Sequence, residues 1–222
     1  MNKLVIKLII NTAIVIVIQS LCLFLPATSL DYWQGWMYLT VFFVPPIFIT
    51  PYLLRKDPQL VERRVTAKEQ RLIQKLFRTF FFFLFFSLFV IAGFDHRFHW
   101  SDIPTSFVII ANIAVLLSWE IFYLVLRENS YASSAVEVTA TQKVISSGPY
   151  GFVRHPMYAG MLLLVLFTPI ALDSWWGMPS SFLIAVAVVL RLLDEEKVLS
   201  KNLAAYDEYC KKVRFRLVPG IW

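Results

Sequence analysis

Apolar residues fall in long blocks along this chain, and the joints between the blocks are polar. A block of about 20 apolar residues is enough to cross a hydrocarbon core about 30 Å thick. The pattern predicts spans at Leu4–Leu25, Trp36–Leu54, Leu76–Phe94, Thr105–Leu126, Met157–Leu172 and Ser180–Leu193. The last two are short and read as a hairpin turned by Asp173-Ser174-Trp175-Trp176-Gly177-Met178-Pro179, so the expected number is five to six. The first block is too long for a cleaved leader and lacks a small-residue cleavage site, which makes it a retained span.

The polar joints have patterns of their own. In Arg55–Lys75, Leu60, Val61, Val65, Leu72 and Ile73 are set among charges, which predicts a helix lying in the membrane interface. Pro45, Pro46 and Pro51 are expected to bend or break the second span. A polar stretch from Arg127 to Pro156 carries Ser133, Ser134, Thr139, Thr141 and Gln142; loops of that length are usually functional or disordered. Past Leu193, the residues Leu199, Leu203, Tyr206, Tyr209 and Val213 predict an amphipathic helix ended by Pro219, closing a site from below. The fold class is therefore all-α: a polytopic membrane protein with five to six transmembrane helices, an interfacial helix and a C-terminal cytosolic amphipathic helix. Residues 1–126 form the N-terminal transmembrane helices and 127–222 the region that carries the chemistry.

Composition agrees, with 58% hydrophobic and only 16% charged residues against about 25% charged in soluble domains. With six spans and an inner N-terminus, every Lys and Arg except Arg97 falls on the cytosolic side, as the bias of basic loops requires. Both termini are then cytosolic. The net charge of +6 reflects that bias and attraction to anionic lipid, and no nucleic-acid-binding signature accompanies it. Cys22 and Cys210 lie at different depths and suggest no disulfide. His96 and His99 lack the third ligand a catalytic zinc needs, so no metal is expected. The run Phe80–Phe86 reads as lipid-facing packing. Glu120, inside the fourth span, is expected to line a cavity or pair with Arg78 or Arg127, because buried charge in a bilayer is costly.

The candidate chemistry lies in Ser147-Gly148-Pro149-Tyr150-Gly151-Phe152-Val153-Arg154-His155-Pro156-Met157-Tyr158-Ala159-Gly160 and, beyond the hairpin, in Arg191, Glu195 and Glu196. The fifth span begins just after His155 and the sixth ends just before Asp194, so topology brings the two groups to one membrane face. Arg191 and Glu195 are four apart and His155 and Tyr158 three apart, so each pair shares a helix face.

The ordered set Gly148-Pro149-Tyr150, Arg154-His155-Pro156-Met157-Tyr158-Ala159-Gly160, Glu195-Glu196, Tyr206-Asp207-Glu208-Tyr209 and Pro219 resembles the isoprenylcysteine carboxyl methyltransferase and phospholipid methyltransferase superfamily over about residues 130–220. The resemblance implies an S-adenosylmethionine-dependent methyltransferase in the inner membrane of a prokaryote. Its partners are the bilayer and an amphipathic acceptor bearing a carboxylate, amine or thiol. It also implies that Gln142, Lys143, Val144 and Ile145 offer strand-like backbone to the cofactor. Tyr150, His155, Pro156, Met157 and Tyr158 form its pocket, and Glu195 takes its ribose or amino group. Arg191 stands on the substrate side, and Glu196 or His155 accepts a proton from an amine acceptor. Arg154 either holds the methionine carboxylate or braces the loop. The competing resemblance is to NADPH-dependent reductases of the sterol type, which share Arg-His-Pro. Those relatives carry an Asn after the proline and an acid after the later glycine, where this chain has Met157 and Met161.

Overall fold

The computed structural model describes residues 2–67, 72–132 and 142–222. These hold eight α-helices: α1 Asn2–Ala27, α2 Trp33–Lys56, α3 Pro58–Thr66, α4 Leu72–Phe98, α5 Thr105–Glu128, α6 Pro156–Ala171, α7 Met178–Asn202 and α8 Tyr206–Lys212. A single 3-10 turn occupies Gly148–Gly151. Four helices are long and apolar enough to cross a membrane: α1, α2, α4 and α5. The protein is integral to the membrane. The shorter apolar helix α6, at 16 residues, extends only about 24 Å at 1.5 Å per residue. Helix α7 has 25 residues, but Arg191, Asp194, Glu195 and Glu196 occupy its second half. Its apolar part is correspondingly brief.

Helix α2 runs unbroken from Trp33 to Lys56 through its three prolines, so of the expected bend or break the break is absent; membrane helices tolerate proline where the freed backbone groups find other partners. Among the described residues the amphipathic joint is not one helix: Arg55 and Lys56 end α2, α3 follows, and Leu72 and Lys75 already belong to α4. The cause at its start is local. Asp57 caps α3 by accepting from the Leu60 amide at 3.0 Å, and Pro58 takes the first-turn position where its missing N–H costs nothing. Leu60 and Val61 then bury against Leu53, Leu4 and Leu126. Of the polar joint after Arg127, Ser133, Ser134, Thr139 and Thr141 lie outside the described residues.

Small residues set the closest helix approaches. A Cβ on Gly160 would stand 2.9 Å from the Phe122 ring and 3.1 Å from Ile121, so α6 lies tight on α5. A Cβ on Gly93 would collide with the Leu23 carbonyl, which fixes α4 against α1. At the end of the bundle remote from the Arg-His motif, polar groups are locked. Asp95 accepts from the Ser101 amide and hydroxyl, both at 2.8 Å, and from the Ser174 hydroxyl at 2.6 Å. Asp173 accepts from the Ile103 amide at 2.7 Å and from Gln34 at 2.9 Å. The α4–α5 and α6–α7 connections are thereby tied together.

The C-terminal amphipathic pattern is also split. Helix α7 carries it to Asn202, Ala205 adopts a left-handed conformation at φ 63°, and α8 resumes at Tyr206. Leu203, Tyr206, Tyr209 and Val213 still form one apolar cluster, with Val144 packed on it. The break re-aims the chain without exposing the stripe.

Candidate functional site

The Arg-His step is fixed by the end of the chain. The Arg154 amide donates to the Phe215 carbonyl at 2.9 Å and the His155 amide to Arg216 at 3.0 Å, so residues 215–216 run beside the motif. Pro156 opens α6 immediately after His155. Behind the step, the Arg154 guanidinium donates to the carbonyls of Val213 (2.8 Å), Cys210 (3.2 Å) and Arg214 (3.1 Å), and to Glu196 at 3.2 Å. Glu196 gathers three partners: Arg154, His155 Nε2 at 3.3 Å and Arg216 Nε at 2.8 Å. Burial pushes the Glu196 carboxyl up, but hydrogen bonds from His155 and Arg216, with their charges, overcome it and hold the group down at about 2.

A second chain of contacts faces forward. Arg191 Nε donates to the Tyr158 hydroxyl at 3.1 Å, and that hydroxyl donates to Glu195 Oε2 at 2.5 Å. The Tyr150 hydroxyl accepts from Asn129 Nδ2 at 2.8 Å, while the Tyr150 carbonyl accepts from Tyr209 at 2.7 Å. Burial pushes the Tyr150 phenol up to about 12, with Glu195 adding to the rise and the Asn129 hydrogen bond and Arg64 opposing it. Tyr150 is a neutral donor or acceptor at physiological pH.

Both chains border one cavity of about 570 Å³, within the usual 300–1,000 Å³ of ligand sites. Gln142, Lys143, Val144 and Ile145, Tyr150, Arg154 through Tyr158, Arg191 and Glu195 all line it. Glu196 does not; it sits behind Arg154 and His155. Gln142 through Ile145 belong to no strand among the described residues. The lining mixes two kinds of side chain. Arg64, Arg78, Asn129 and several motif residues are polar, whereas Phe42, Phe81, Phe85, Trp119 and Phe122 are aromatic and pack on one another.

Several residues in or behind this lining carried no sequence signal. Arg64, Arg78 and Arg216 were indistinguishable from topological basic residues, and Trp119 from any membrane aromatic. The lipid-facing reading of the Phe run holds for Phe80, Phe82 and Phe83, which are exposed, but is corrected at Phe81 and Phe85, which turn inward and stack on each other at 5.9 Å. Glu120 is corrected as well: it is exposed on α5, outside the cavity lining, and pairs with neither Arg78 nor Arg127. Arg127 stands over the Tyr123 ring instead.

Residues 107–205, from α5 to the end of α7, match the family model described as phospholipid methyltransferase. That match takes in somewhat less than half of the chain, and over it the chain is similar to this family, within the superfamily of membrane methyltransferases it shares with the isoprenylcysteine carboxyl methyltransferases. The family's enzymes use S-adenosylmethionine. The chain is also similar to the Delta(14)-sterol reductase TM7SF2 of Mus musculus, at 33% identity over 88 residues. That match covers 38% of this chain and 21% of the reductase, so the chain spans about a fifth of the length of the curated relative it matches.

Proposed function

We propose that this protein moves a methyl group from S-adenosylmethionine to an amphipathic acceptor held in the bilayer, at the cytosolic membrane face. The observation that carries the reading is one cavity lined both by polar motif residues from three separate segments and by a packed group of aromatic rings. A water-soluble cation with carboxylate, amine, ribose and flat base suits the polar lining residues, and a lipid tail suits the aromatic ones. In this reading the α6–α7 hairpin crosses the bilayer, both termini are cytosolic, residues 1–126 form the scaffold and 127–222 the catalytic region.

The donor set fits the cofactor. Glu195 offers a carboxylate to its ribose or amino group, and Gln142 through Ile145 with Tyr150, His155, Pro156, Met157 and Tyr158 frame the pocket. When bound, the cofactor supplies an activated methyl carbon on a sulfonium. The chain's own task is orientation and exclusion of water, which can lower a barrier by about 7–11 kcal/mol. Arg191, through Tyr158, holds the Glu195 carboxylate in place and stands on the acceptor side. A carboxylate acceptor needs no base. An amine must lose a proton, and the His155 imidazole can take it on Nδ1 alone, because Nε2 already donates to the ionised Glu196. Arg154, with its guanidinium spent on three carbonyls and Glu196, is a brace and not a cofactor ligand.

The likeness to a sterol reductase supports a second reading, reduction by NADPH. Against it, Met157 and Met161 both line the cavity where such reductases carry an Asn and an acid. Calorimetric titration of the detergent-purified protein decides between them. S-adenosylhomocysteine is expected to bind saturably, and His155→Ala and Glu195→Ala to weaken it about 10–100-fold, the worth of a hydrogen bond to a charged group. Saturable binding of NADPH without S-adenosylhomocysteine would overturn the methyltransferase reading.

A further inference from the structure

A short run of hydrogen bonds behind Tyr150 has a direction fixed by chemistry. The Tyr131 backbone amide donates to Asn129 Oδ1 at 2.9 Å, and Asn129 Nδ2 donates to the Tyr150 hydroxyl at 2.8 Å. A side-chain amide can stand either way round, and its neighbours decide which end is oxygen. A backbone N–H can only donate, so the atom facing Tyr131 is the oxygen. The NH2 end then faces the phenol, and it too can only donate. Tyr150 must accept from Asn129, and its own proton is turned elsewhere.

Among the described residues no acceptor takes that proton: the hydroxyl is bonded to Asn129 alone. Glu195 is near enough to affect the ionisation of Tyr150, but its hydrogen bond comes from Tyr158. The main chain of Tyr150 is held at both ends. Its amide donates to the Ser147 carbonyl at 3.2 Å, and its carbonyl accepts from Tyr209 at 2.7 Å. Burial keeps the phenol protonated at physiological pH. Asn129 and Tyr150 both line the cavity, so what fills the cavity is left as the acceptor for the O–H.

We infer that Asn129 is a positioning residue that makes the Tyr150 hydroxyl an obligate donor to a lone pair of the bound cofactor. The inference rests on the methyltransferase reading, in which Tyr150 frames the cofactor pocket. It adds a residue that belongs neither to the Arg-His motif nor to the Glu-Glu pair. Asn129 is itself fixed, because its own amide closes the end of α5 on the Val125 carbonyl at 2.9 Å. The hydroxyl therefore meets its ligand already aimed, and the cost of ordering it on binding is reduced.

Asn129→Asp reverses the run. It is isosteric and still accepts from Tyr131, but its second oxygen accepts from Tyr150 where Nδ2 donated, drawing the proton out of the cavity. Calorimetric titration of the detergent-purified variants with S-adenosylhomocysteine, beside thermal unfolding, tests this. Asn129→Asp and Tyr150→Phe are each expected to weaken binding about tenfold, the worth of one hydrogen bond. Asn129→Ala removes the donor without supplying an acceptor, and should stay within about threefold on the same scale. In the Tyr150→Phe background, Asn129→Asp should cost nothing further, because the hydroxyl through which it acts is gone. Wild-type affinity in Asn129→Asp, a loss that persists undiminished in the Tyr150→Phe background, or an equal loss in Asn129→Ala overturns the inference. Failure of the isosteric Asn129→Asp variant to fold would show a structural role and overturn it too. Failure of S-adenosylhomocysteine to bind the wild-type protein would instead overturn the methyltransferase reading itself, so the two failures are told apart.

Discussion

Helices α1 and α5 are both apolar enough to cross a membrane, yet they do opposite things with their side chains. Only 11% of the most apolar window of α1 is buried within the protein, against 44% for α5. Helix α1 spends its hydrophobicity on lipid; Ile9, Val17 and Leu25 all point outward. Helix α5 lies on α6 along the Gly160 contact and contributes Trp119, Phe122 and Leu126 to the cavity. The difference teaches that hydropathy marks what can enter a bilayer and says little about what faces a ligand. In lipid, an apolar side chain gains little by turning inward, so packing and polar contacts choose the face.

The contrast can be broken at the Arg-His motif first. Glu196→Gln removes the shared partner of Arg154, His155 and Arg216, and is expected to cost about 3–5 kcal/mol, as for breaking a shielded ion pair. Thermal unfolding in detergent checks it. The same contact predicts a pH dependence. Because the folded carboxyl is depressed from 4.5 to about 2, its contribution to stability is complete above 4.5 and disappears as pH falls through about 2. The gap between wild type and variant should shrink over that window and stay constant from pH 5.5 to 7.

A smaller effect is expected at the helix contact itself. Gly160→Leu drives a side chain into Phe122 and Ile121, and overpacking of this kind costs about 1–3 kcal/mol. S-adenosylhomocysteine affinity should fall with it, because α6 carries Met157 and Tyr158. Unchanged melting and affinity would show that α5 and α6 have room to part. The smallest effect belongs to the lipid-facing helix: Val17→Ala on α1 should stay within about 0.5 kcal/mol and leave affinity alone. A large loss there would end the comparison between the two helices.

Much of the site was legible from residue order alone. His155, Tyr158, Arg191 and Glu195 were placed together by topology, since a fifth span that starts just after His155 and a sixth that ends just before Asp194 return them to the same face. The roles were harder to read. Arg154 had two roles in the sequence and its carbonyl contacts favour one, because a guanidinium with four partners has little left for a ligand. Glu196 was grouped with Glu195, but adjacent residues on a helix point about 100° apart, and one faces the cavity while the other faces Arg216.

By itself the sequence determined the membrane class, the hairpin and the ordered set of polar residues at one face, because long apolar blocks and basic joints have few other physical solutions. Only the tertiary structure decided which face of an all-apolar helix turns inward, which put Phe81, Phe85 and Trp119 at the cavity and left Glu120 outside. It alone brought Arg64 and Arg78 to the same space as Glu195. Those charges lie more than a hundred residues from that acid, and no local periodicity encodes a meeting made by packing between distant helices.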